Sequence, residues 1–269
     1  MTGIASLPMY DLPEVHWALD DLWAAIARHL ERHGVADAPP TLLHTRPSGE
    51  LWTNPDMFIS QCCGFDIVKN YTRWLQPLAT PLYTAPGCDG CRYLSFVIVP
   101  ETSTATGIED LRGTICAVNG PESHSGMNTL RELIAPLSGG RPFFAEVRES
   151  GAHANSVAMV ARGEAQVAAI DNVTHAILAR HRPAAVAGTR VLCETSSAPG
   201  IPFATRTELD IDTVERMRAA IIDAFAEPDL AEALDALFMG GVKILPHADY
   251  YELIDIERRA VDMSYPKLQ

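Results

Sequence analysis

The chain has 269 residues, of which 47% are hydrophobic and 20% are charged, an ordinary composition for a globular protein with one large core or two moderate lobes. Its formal net charge of −13 argues against nucleic acid or an anionic membrane as a partner, because both bind basic surfaces. No apolar stretch reaches the roughly 18 residues that a membrane-spanning helix needs, so we expect no membrane insertion.

Alternation of apolar runs with helical periodicity predicts an α/β protein. The predicted strands, in chain order, are 4–10, 41–45, 57–60, 78–83, 93–99, 114–118, 143–147, 165–170 and 190–195. The predicted helices are 13–33, 65–75, 108–113 (a short helical turn), 127–137, 157–161, 173–180, 212–225, 230–238 and 248–261. No internal repeat and no low-complexity segment interrupts this pattern.

The stretch 119–126 joins a buried strand to an amphipathic helix. Ser123 and Ser125 lie where a helix needs side-chain caps, and Gly126 allows a ligand to approach the backbone. The unpaired N–H groups at a helix start carry a partial positive charge and suit a small anion. The stretch therefore predicts either an anion site or an ordinary Ser-capped helix.

Two further strand ends carry polar side chains. The turn 150–156 contains His153 and Ser156 and precedes a helix, and the apolar strand 165–170 ends at Asp171. Ligands of open α/β sheets bind outside the carboxyl ends of the strands. We therefore expect the Ser, His and Asp side chains of these turns to face one crevice.

The pair Cys88 and Cys91 has the spacing of half a zinc site or of a redox dithiol. Zinc needs about four ligands, and no second pair with a matching spacing is present. Pro86, Gly87 and Gly90 indicate a turn rather than the helix start of a thioredoxin-like motif. The sequence predicts no metal and no cofactor, while a disulfide, a reactive dithiol and a plain loop all stay open for the two cysteines.

Several short motifs follow one another in the order of a known family. They are Asp110-Leu111-Arg112-Gly113, Ala117-Val118-Asn119-Gly120-Pro121, Ser123-x-Ser125-Gly126, Ser150-Gly151-x-His153 and Gly163-Glu164-Ala165-x-Val167-Ala168-Ala169-Ile170-Asp171. In this order they resemble the phosphate/phosphite/phosphonate substrate-binding proteins of ABC transporters. The resemblance covers roughly 7–203, whereas the C-terminal part matches only in its helical character.

The resemblance implies a two-lobe type 2 periplasmic-binding-protein fold with two crossover segments, at 93–99 and 196–203. Lobe 1 would then comprise 1–94 plus 202–269, and lobe 2 would comprise 95–201. A small anionic ligand would be clamped in the cleft between the lobes. In the family this is a phosphorus oxyanion, held by hydroxyls and helix starts rather than by Arg and Lys, and the partner is an ABC transporter permease.

Candidate ligand contacts combine the turns above with positions that the resemblance implies at earlier strand ends. They are Tyr10, Gln61, Cys62, Tyr93, Ser123, Ser125, Gly126, His153, Ser156 and Asp171. Cys62 is equally typical of a small buried hydrophobe. Asp171 has three open interpretations: it accepts a proton from a P–OH group, it binds an amine of the ligand, or it only caps the next helix.

Two alternatives to a transport receptor stay open. Cytoplasmic enzymes such as chorismate dehydratase resemble the same fold, and His153, Asp171 and Cys62 offer an acid–base or nucleophile set. No recognised catalytic motif is present, so the sequence favours a protein that is not an enzyme. A ligand-sensing protein is the other alternative. The chain start lacks the features of a signal peptide, which predicts a cytoplasmic protein as written and a periplasmic one if this is a mature chain.

Overall fold

The structure is a computed structural model that describes residues 3–269, and it alternates strands and helices along the chain. The strands are β1 Ile4–Ser6, β2 Met57–Gln61, β3 Leu75–Tyr83, β4 Arg92–Tyr93, β5 Ser95–Pro100, β6 Ile115–Val118, β7 Glu146–Glu149, β8 Val167–Asp171, β9 Thr189–Glu194, β10 Ala198–Pro199, β11 Phe203–Arg206 and β12 Met239–Lys243. The α-helices are α1 His16–Arg32, α2 Gly49–Trp52, α3 Gly64–Lys69, α4 Thr129–Ser138, α5 His153–Ala161, α6 Asn172–His181, α7 Pro183–Val186, α8 Ile211–Phe225, α9 Ala231–Ala236 and α10 Glu252–Asp262. Short 3-10 helices cover Pro8–Tyr10, Pro13–Val15, Ile108–Leu111, Pro228–Leu230 and His247–Tyr251, and a π-helix covers His124–Asn128.

The chain forms two compact units. Unit 1 contains the residues up to Thr84 together with Asp89–Arg92 and Pro199–Tyr251. Unit 2 contains Ala85–Cys88, Tyr93–Ala198 and Glu252–Gln269.

The sheet of unit 1 has the strand order β1-β2-β11-β3-β12. β1 is parallel to β2, whereas β11 is antiparallel to both of its neighbours and β12 is antiparallel to β3. Helix α1 packs against α8 and α9. Its Trp23 is buried, and the Nε1–H group of this side chain donates to the Pro39 carbonyl at 3.0 Å. The buried indole thus satisfies its polar atom while it contributes a large apolar surface.

The sheet of unit 2 has the order β7-β6-β8-β5-β9. β6 lies parallel to both β7 and β8, and β5 pairs antiparallel with β8 and with β9. The buried side chains of β5, β6 and β8 form the middle of a core cluster that also includes α4 residues. α4 ends where Gly139 takes a left-handed conformation with φ 60°, close to the predicted helix end at 137.

The C-terminal segment Glu252–Gln269 belongs to unit 2. The sequence predicted instead that all of 202–269 would be part of lobe 1. The buried face of α10, which includes Leu253 and Ile256, packs on α4. The Gln269 carbonyl then accepts the N–H group of Phe143 at 2.6 Å, and Tyr265 is fully buried in the unit 2 core. The helical pattern predicted the helix correctly, but it did not specify the surface that the helix covers.

Two predicted strands at the start of the chain are wrong in extent. The strand 4–10 ends at Ser6, and Pro8–Tyr10 is a 3-10 helix. Pro8 explains this end, because proline has no N–H group for a ladder hydrogen bond. The strand 41–45 is reduced to one isolated bridge between Leu42 and Ala5.

Other boundaries shift for similar local reasons. The helix predicted at 65–75 ends at Lys69, and the strand predicted at 143–147 runs over Glu146–Glu149. Phe143 and Phe144 are apolar because they enter the core of unit 2, not because they lie in a strand. The strand 93–99 is interrupted at Leu94 and resumes as β5. Across residues 3–269, no helix is long and apolar enough to cross a membrane.

Replacing Tyr265 tests the placement of the C-terminal segment. Tyr265→Ala should lower the free energy of unfolding by about 3–5 kcal/mol, because it empties a fully buried aromatic site. Tyr251→Ala is the matched control, since the Tyr251 side chain is 49% exposed and its loss should cost about 0.5 kcal/mol or less. Urea denaturation followed by fluorescence measures both values. Equal losses in the two variants would contradict the packing described here.

Candidate functional site

Three strand ends meet at one edge of the unit 2 sheet, as the sequence predicted. Because β6 is parallel to β7 and β8, the carboxyl ends of all three strands lie on the same side of the sheet. The residues that follow them are the turn 119–123 after β6, the turn 150–152 after β7 and the start of α6 after β8. This edge therefore collects the polar side chains of three separate segments.

The turn after β6 leads into a π-helix rather than directly into an α-helix. Ser123 is its N-cap, and the Ser123 Oγ accepts the N–H group of Gly126 at 3.0 Å. Ser125, expected as a second cap, instead lies inside the first helical turn. A helix start leaves N–H groups without helical acceptors.

Ser125 is hydrogen-bonded to His153, which joins the first and second of these turns. The distance between Ser125 Oγ and His153 Nε2 is 2.9 Å, and the two residues are 28 positions apart in the sequence. The backbone of the same turn is fixed from the sheet side, because the buried Ser95 hydroxyl donates to the Ser125 carbonyl at 2.8 Å. The site is thus held by β5, the π-helix and the first residue of α5.

The imidazole of His153 is neutral at physiological pH. Burial lowers the pKa of His153 to about 4, and the backbone carbonyl of Ala169 raises it by less than burial lowers it. Burial also lowers the pKa of the neighbouring His124 to about 3. Neither ring contributes a positive charge, so the two histidines offer only neutral hydrogen-bond donors and acceptors.

Gly126 allows the Asn119 side chain to lie close against the start of the π-helix. A Cβ atom there would lie 1.8 Å from Asn119 Oδ1 and 3.1 Å from His153 Cε1, so any other residue would displace the Asn119 side chain. The Asn119 Oδ1 atom is buried and has no hydrogen-bond partner among the residues that the structure describes. A buried acceptor of this kind is expected to meet a water or a ligand donor.

The remaining two candidates in this region have partners within unit 2. Ser156 is fully buried inside α5, where its hydroxyl pairs with that of Ser150 at 2.7 Å. Asp171 is 1% exposed and is the N-cap of α6, since its carboxylate accepts the Thr174 N–H group at 2.9 Å. The capping interpretation of Asp171 is therefore confirmed, and any additional contact with a ligand stays a proposal.

Tyr93 and Ser125 line one small pocket of unit 2. Sequence reasoning missed the other residues of this pocket, which are Leu94, Ser95, His124, Thr129, Ser196 and Ala198. Ser95 carried a usable signal, because it is a polar residue within an otherwise apolar strand. The hydroxyl of Thr129 is occupied by a bond to the Ser125 carbonyl at 2.9 Å.

In unit 1, Gln61 lies at the end of β2 and is fully buried. Its Nε2 group donates to the Tyr83 hydroxyl at 3.4 Å, whereas its Oε1 atom has no partner among the described residues. Tyr10 stacks edge-on against Tyr83, with ring centroids 5.4 Å apart. Tyr83 was not predicted as a site residue. An aromatic side chain in an apolar strand is typical of a core residue, so the sequence carried no signal for it.

Cys62 follows Gln61 and is part of a buried apolar cluster of unit 1. Burial, and to a smaller degree the charges of Asp66 and Cys63, raise the pKa of the Cys62 thiol well above its usual range. A protonated thiol is a poor nucleophile. The position therefore fits the small buried hydrophobe that the sequence left open, and it does not fit a nucleophile.

The Cys88 and Cys91 segment forms a turn, as the sequence predicted, with positive φ at Gly87 and Gly90. Both cysteines are free thiols. Burial raises the pKa of Cys88 to about 11, while a hydrogen bond from the Asn172 amide at 3.0 Å lowers it by less. A thiol with this pKa is protonated at neutral pH, which argues against a reactive dithiol at this position.

Comparison with known proteins links this geometry to a family. Residues 63–250 match the family model of the periplasmic substrate-binding proteins of ABC transporters for phosphonate. The matched stretch includes the turns after β6, β7 and β8. No curated protein matches the sequence.

Solved structures resemble the whole chain at low sequence identity. A binding-protein component of an ABC phosphonate transporter from Pseudomonas aeruginosa has a TM-score of 0.78 at 13% identity, over 98% of this chain and 88% of that one. PhnD1 from Prochlorococcus marinus, solved with methylphosphonate, has a TM-score of 0.72 at 12% identity, over 96% and 98% of the two chains. A Xanthomonas citri protein bound to chloride has a TM-score of 0.72 at 17% identity, over 98% and 99%, and the same protein has also been solved with ATP. These likenesses confirm the predicted type 2 periplasmic-binding-protein fold.

The neutral state of His153 can be measured directly. We expect an NMR titration to place its pKa near the value of about 4 that burial imposes, below the value of about 6.5 for an exposed histidine. Between these two values the unfolded chain binds a proton that the folded chain does not bind, so stability should fall as the pH is lowered from about 6.5 to about 4.

The variant His153→Gln should lose this part of the pH dependence, while His124→Gln identifies the signals of the second buried ring. A His153 midpoint between pH 6 and pH 7 would show that the ring is solvated and charged near neutrality. An unchanged slope of stability against pH in His153→Gln would contradict the same argument.

Proposed function

The chain belongs to the family of periplasmic substrate-binding proteins of ABC transporters for phosphonate, and from this premise we propose that it binds a phosphorus oxyanion of the phosphate, phosphite or phosphonate class. The observation that carries the proposal is the Ser125–His153 hydrogen bond at the start of a helix that follows a sheet strand. Three of the solved structures compared above hold methylphosphonate, chloride or ATP, and these anions support an anionic ligand here.

Neutral groups hold the oxyanion in this proposal. When His153 Nε2–H donates to Ser125 Oγ, the Ser125 hydroxyl hydrogen is available for a ligand oxygen. Ser123 Oγ already accepts the Gly126 amide, so its own hydroxyl hydrogen is available in the same way. The amides of Ser125 and Met127 supply two further donors at the positive end of the helix.

The energetics require these donors to converge. A helix start contributes about 0.3–2 kcal/mol to the binding of an anion, whereas micromolar affinity needs about 8 kcal/mol. The formal net charge of −13 repels an anion at long range, so local hydrogen bonds must supply the difference. Three turns at one sheet edge place enough donors together for this purpose.

The ligand is proposed to carry a proton. Asn119 Oδ1 is a buried acceptor for which the described residues supply no donor, and Asp171 brings a carboxylate to the same edge of the sheet. Both groups repel a fully deprotonated oxyanion, while a P–OH group would donate to either of them. This favours the singly protonated form of phosphate or of a phosphonate over sulfate, which has the same shape without the proton.

The candidate residues of unit 1 also remain proposed ligand contacts. Gln61 Oε1 is a second buried acceptor with no partner in 3–269, and Tyr10 lies beside the Tyr83 ring that the Gln61 amide contacts. We assign Cys62 to the apolar wall rather than to a polar contact, and Ser156 to the support of the Ser150 turn. The family description further supports an ABC transporter permease as partner and the periplasmic alternative for location.

Ligand binding tests the proposal. Calorimetry should show binding of methylphosphonate, phosphite or phosphate, and Ser125→Ala should weaken it by about tenfold or more, which corresponds to about 1.4 kcal/mol. Ser138→Ala is the matched control, because Ser138 is another buried serine whose hydroxyl bonds to a helix carbonyl, at the opposite end of α4. The proposal fails if none of the three anions binds, or if both serine variants lose equal affinity.

In this proposal the carboxylate of Asp171 selects ligands that carry a proton. Asp171→Asn should weaken binding of a protonated phosphonate by about 1.5–3 kcal/mol, the range for hydrogen bonds that involve a charged group. The same substitution should weaken the binding of a fully deprotonated analogue less. The difference in affinity between wild type and Asp171→Asn should therefore change between pH 5 and about pH 9, as the ligand loses its proton.

Asn is also a good N-cap, so this substitution changes the charge with little loss of helix capping. Asp210→Asn is the matched control, since Asp210 caps α8 through the Thr213 N–H group at the same distance of 2.9 Å. Equal effects on protonated and deprotonated ligands, or no effect on either, would leave Asp171 with a capping role alone.

A further inference from the structure

Two histidines on one helix of unit 1 face two carboxylates of another helix region in the same unit. His29 lies in the last turns of α1, and the His33 N–H group bonds to the His29 carbonyl at 2.9 Å, so the helical spacing continues to His33. Residues four positions apart lie on the same face of a helix. Asp223 in α8 and Glu227 just beyond its end have the same spacing.

The two pairs are in direct contact. His33 Nε2 lies 2.8 Å from Asp223 Oδ2, and His29 Nε2 lies 2.8 Å from Glu227 Oε1. The potential ligand atoms of His29, His33 and Asp223 all lie within 4.8 Å of one another. Both imidazoles therefore present their Nε2 atoms to one small region between α1 and α8.

We propose that His29, His33 and Asp223 bind a divalent transition-metal ion, with zinc as the reference ion. Imidazole nitrogen and carboxylate oxygen are ligands that zinc accepts at about 2.0–2.2 Å in a tetrahedral site. Two histidines four residues apart on a helix can bind the same ion, and the third ligand comes from the facing helix. The fourth position is open to water, because Asp223 and His33 are partly exposed.

Glu227 supplies charge beside the site rather than a ligand. Its Oε2 atom is held by Arg28 at 2.6 Å, and Arg32 lies 3.7 Å from its Oε1 atom. Together with Asp223, Glu227 offsets the positive charge that these two arginines place near the ion. Without this carboxylate, the arginines would repel a divalent cation.

Metal binding at this site requires the movement of protons. In the metal-free protein each Nε2–H group donates to the carboxylate that faces it, and the metal needs the lone pair of that nitrogen. The Nε2 proton therefore shifts to Nδ1 as the neutral tautomer changes, or it is released when the ring begins as an imidazolium. Protons therefore compete with the metal for these nitrogens, and affinity should fall as the solution is made more acidic.

A second group of potential ligands in unit 1 is less suited to a metal. His16 and His44 both contact Asp11 Oδ1, at 3.1 Å and 2.6 Å. However, their rings are stacked, with centroids 3.9 Å apart and an interplanar angle of 20°. In-plane lone pairs of nearly parallel rings run side by side and do not converge on one ion. This group instead resembles a histidine pair bound to a shared carboxylate.

The sequence predicted no metal anywhere in the chain, so this site departs from that expectation. An ion held by α1 and α8 would link two helices that are far apart in the chain. It should therefore stabilise the folded state, since a ligand that binds only the native protein raises its melting temperature.

The experiment uses the full chain without an affinity tag. Zinc is titrated by calorimetry, cobalt is added as a spectroscopic probe of coordination, and thermal melting is followed with and without zinc. We expect His33→Ala and Asp223→Asn each to weaken zinc binding by about tenfold or more and to abolish the zinc-dependent rise in melting temperature. Both residues are partly exposed, so circular dichroism should show that the variants are folded.

Two controls make the result specific. His247→Ala removes an exposed histidine of unit 1 outside both groups and should leave zinc binding unchanged. His16→Gln disrupts the stacked group and should leave the affinity at the α1–α8 site intact. The proposal is overturned if the wild-type chain binds no zinc at micromolar concentration, if His33→Ala and Asp223→Asn bind it normally, or if only His16→Gln loses it.

Discussion

The parallel pairing of β6 with β7 and β8 is the constraint on which the candidate site depends. It places three carboxyl strand ends at one edge of the unit 2 sheet. The turns that leave those ends begin the π-helix, α5 and α6, and each helix start contributes unpaired amides or a capping side chain. The Ser125–His153 hydrogen bond is a result of this arrangement, because it joins the start of the π-helix to the start of α5.

In the proposed binding mode, neutral groups supply the donors for the oxyanion. Burial keeps His153 and His124 uncharged, and the hydroxyls of Ser123 and Ser125 are neutral donors. Neutral donors at a helix start discriminate by geometry and by the proton of the ligand, whereas a cluster of cations would attract many anions. The buried acceptor Asn119 Oδ1 adds to this proposed selectivity, since it needs a donor that the described residues do not supply.

Long-range contacts determine the remainder of the structure. The α10 segment completes the core of unit 2 although it follows the whole of unit 1 in the chain, and Arg131 pairs with Glu257 across that packing. In unit 1 the contact of α1 with α8 brings histidines and carboxylates together over sequence separations of 190 and 198 residues. Neither arrangement has a local signal, because each partner alone is typical of a solvated helix face.

The sequence by itself determined the features that depend on local chemistry. The apolar runs of β6 and β8, the Ser123 cap and the helix end at Gly139 follow from neighbouring residues, and the ordered motifs identified the fold. Only the tertiary structure decided that Ser125 bonds to His153, that Tyr10 lies in a 3-10 helix and that the C-terminal helix joins unit 2. The physical reason is that an apolar stripe or a polar side chain specifies that it needs a partner, while the packing of distant segments specifies which partner it has.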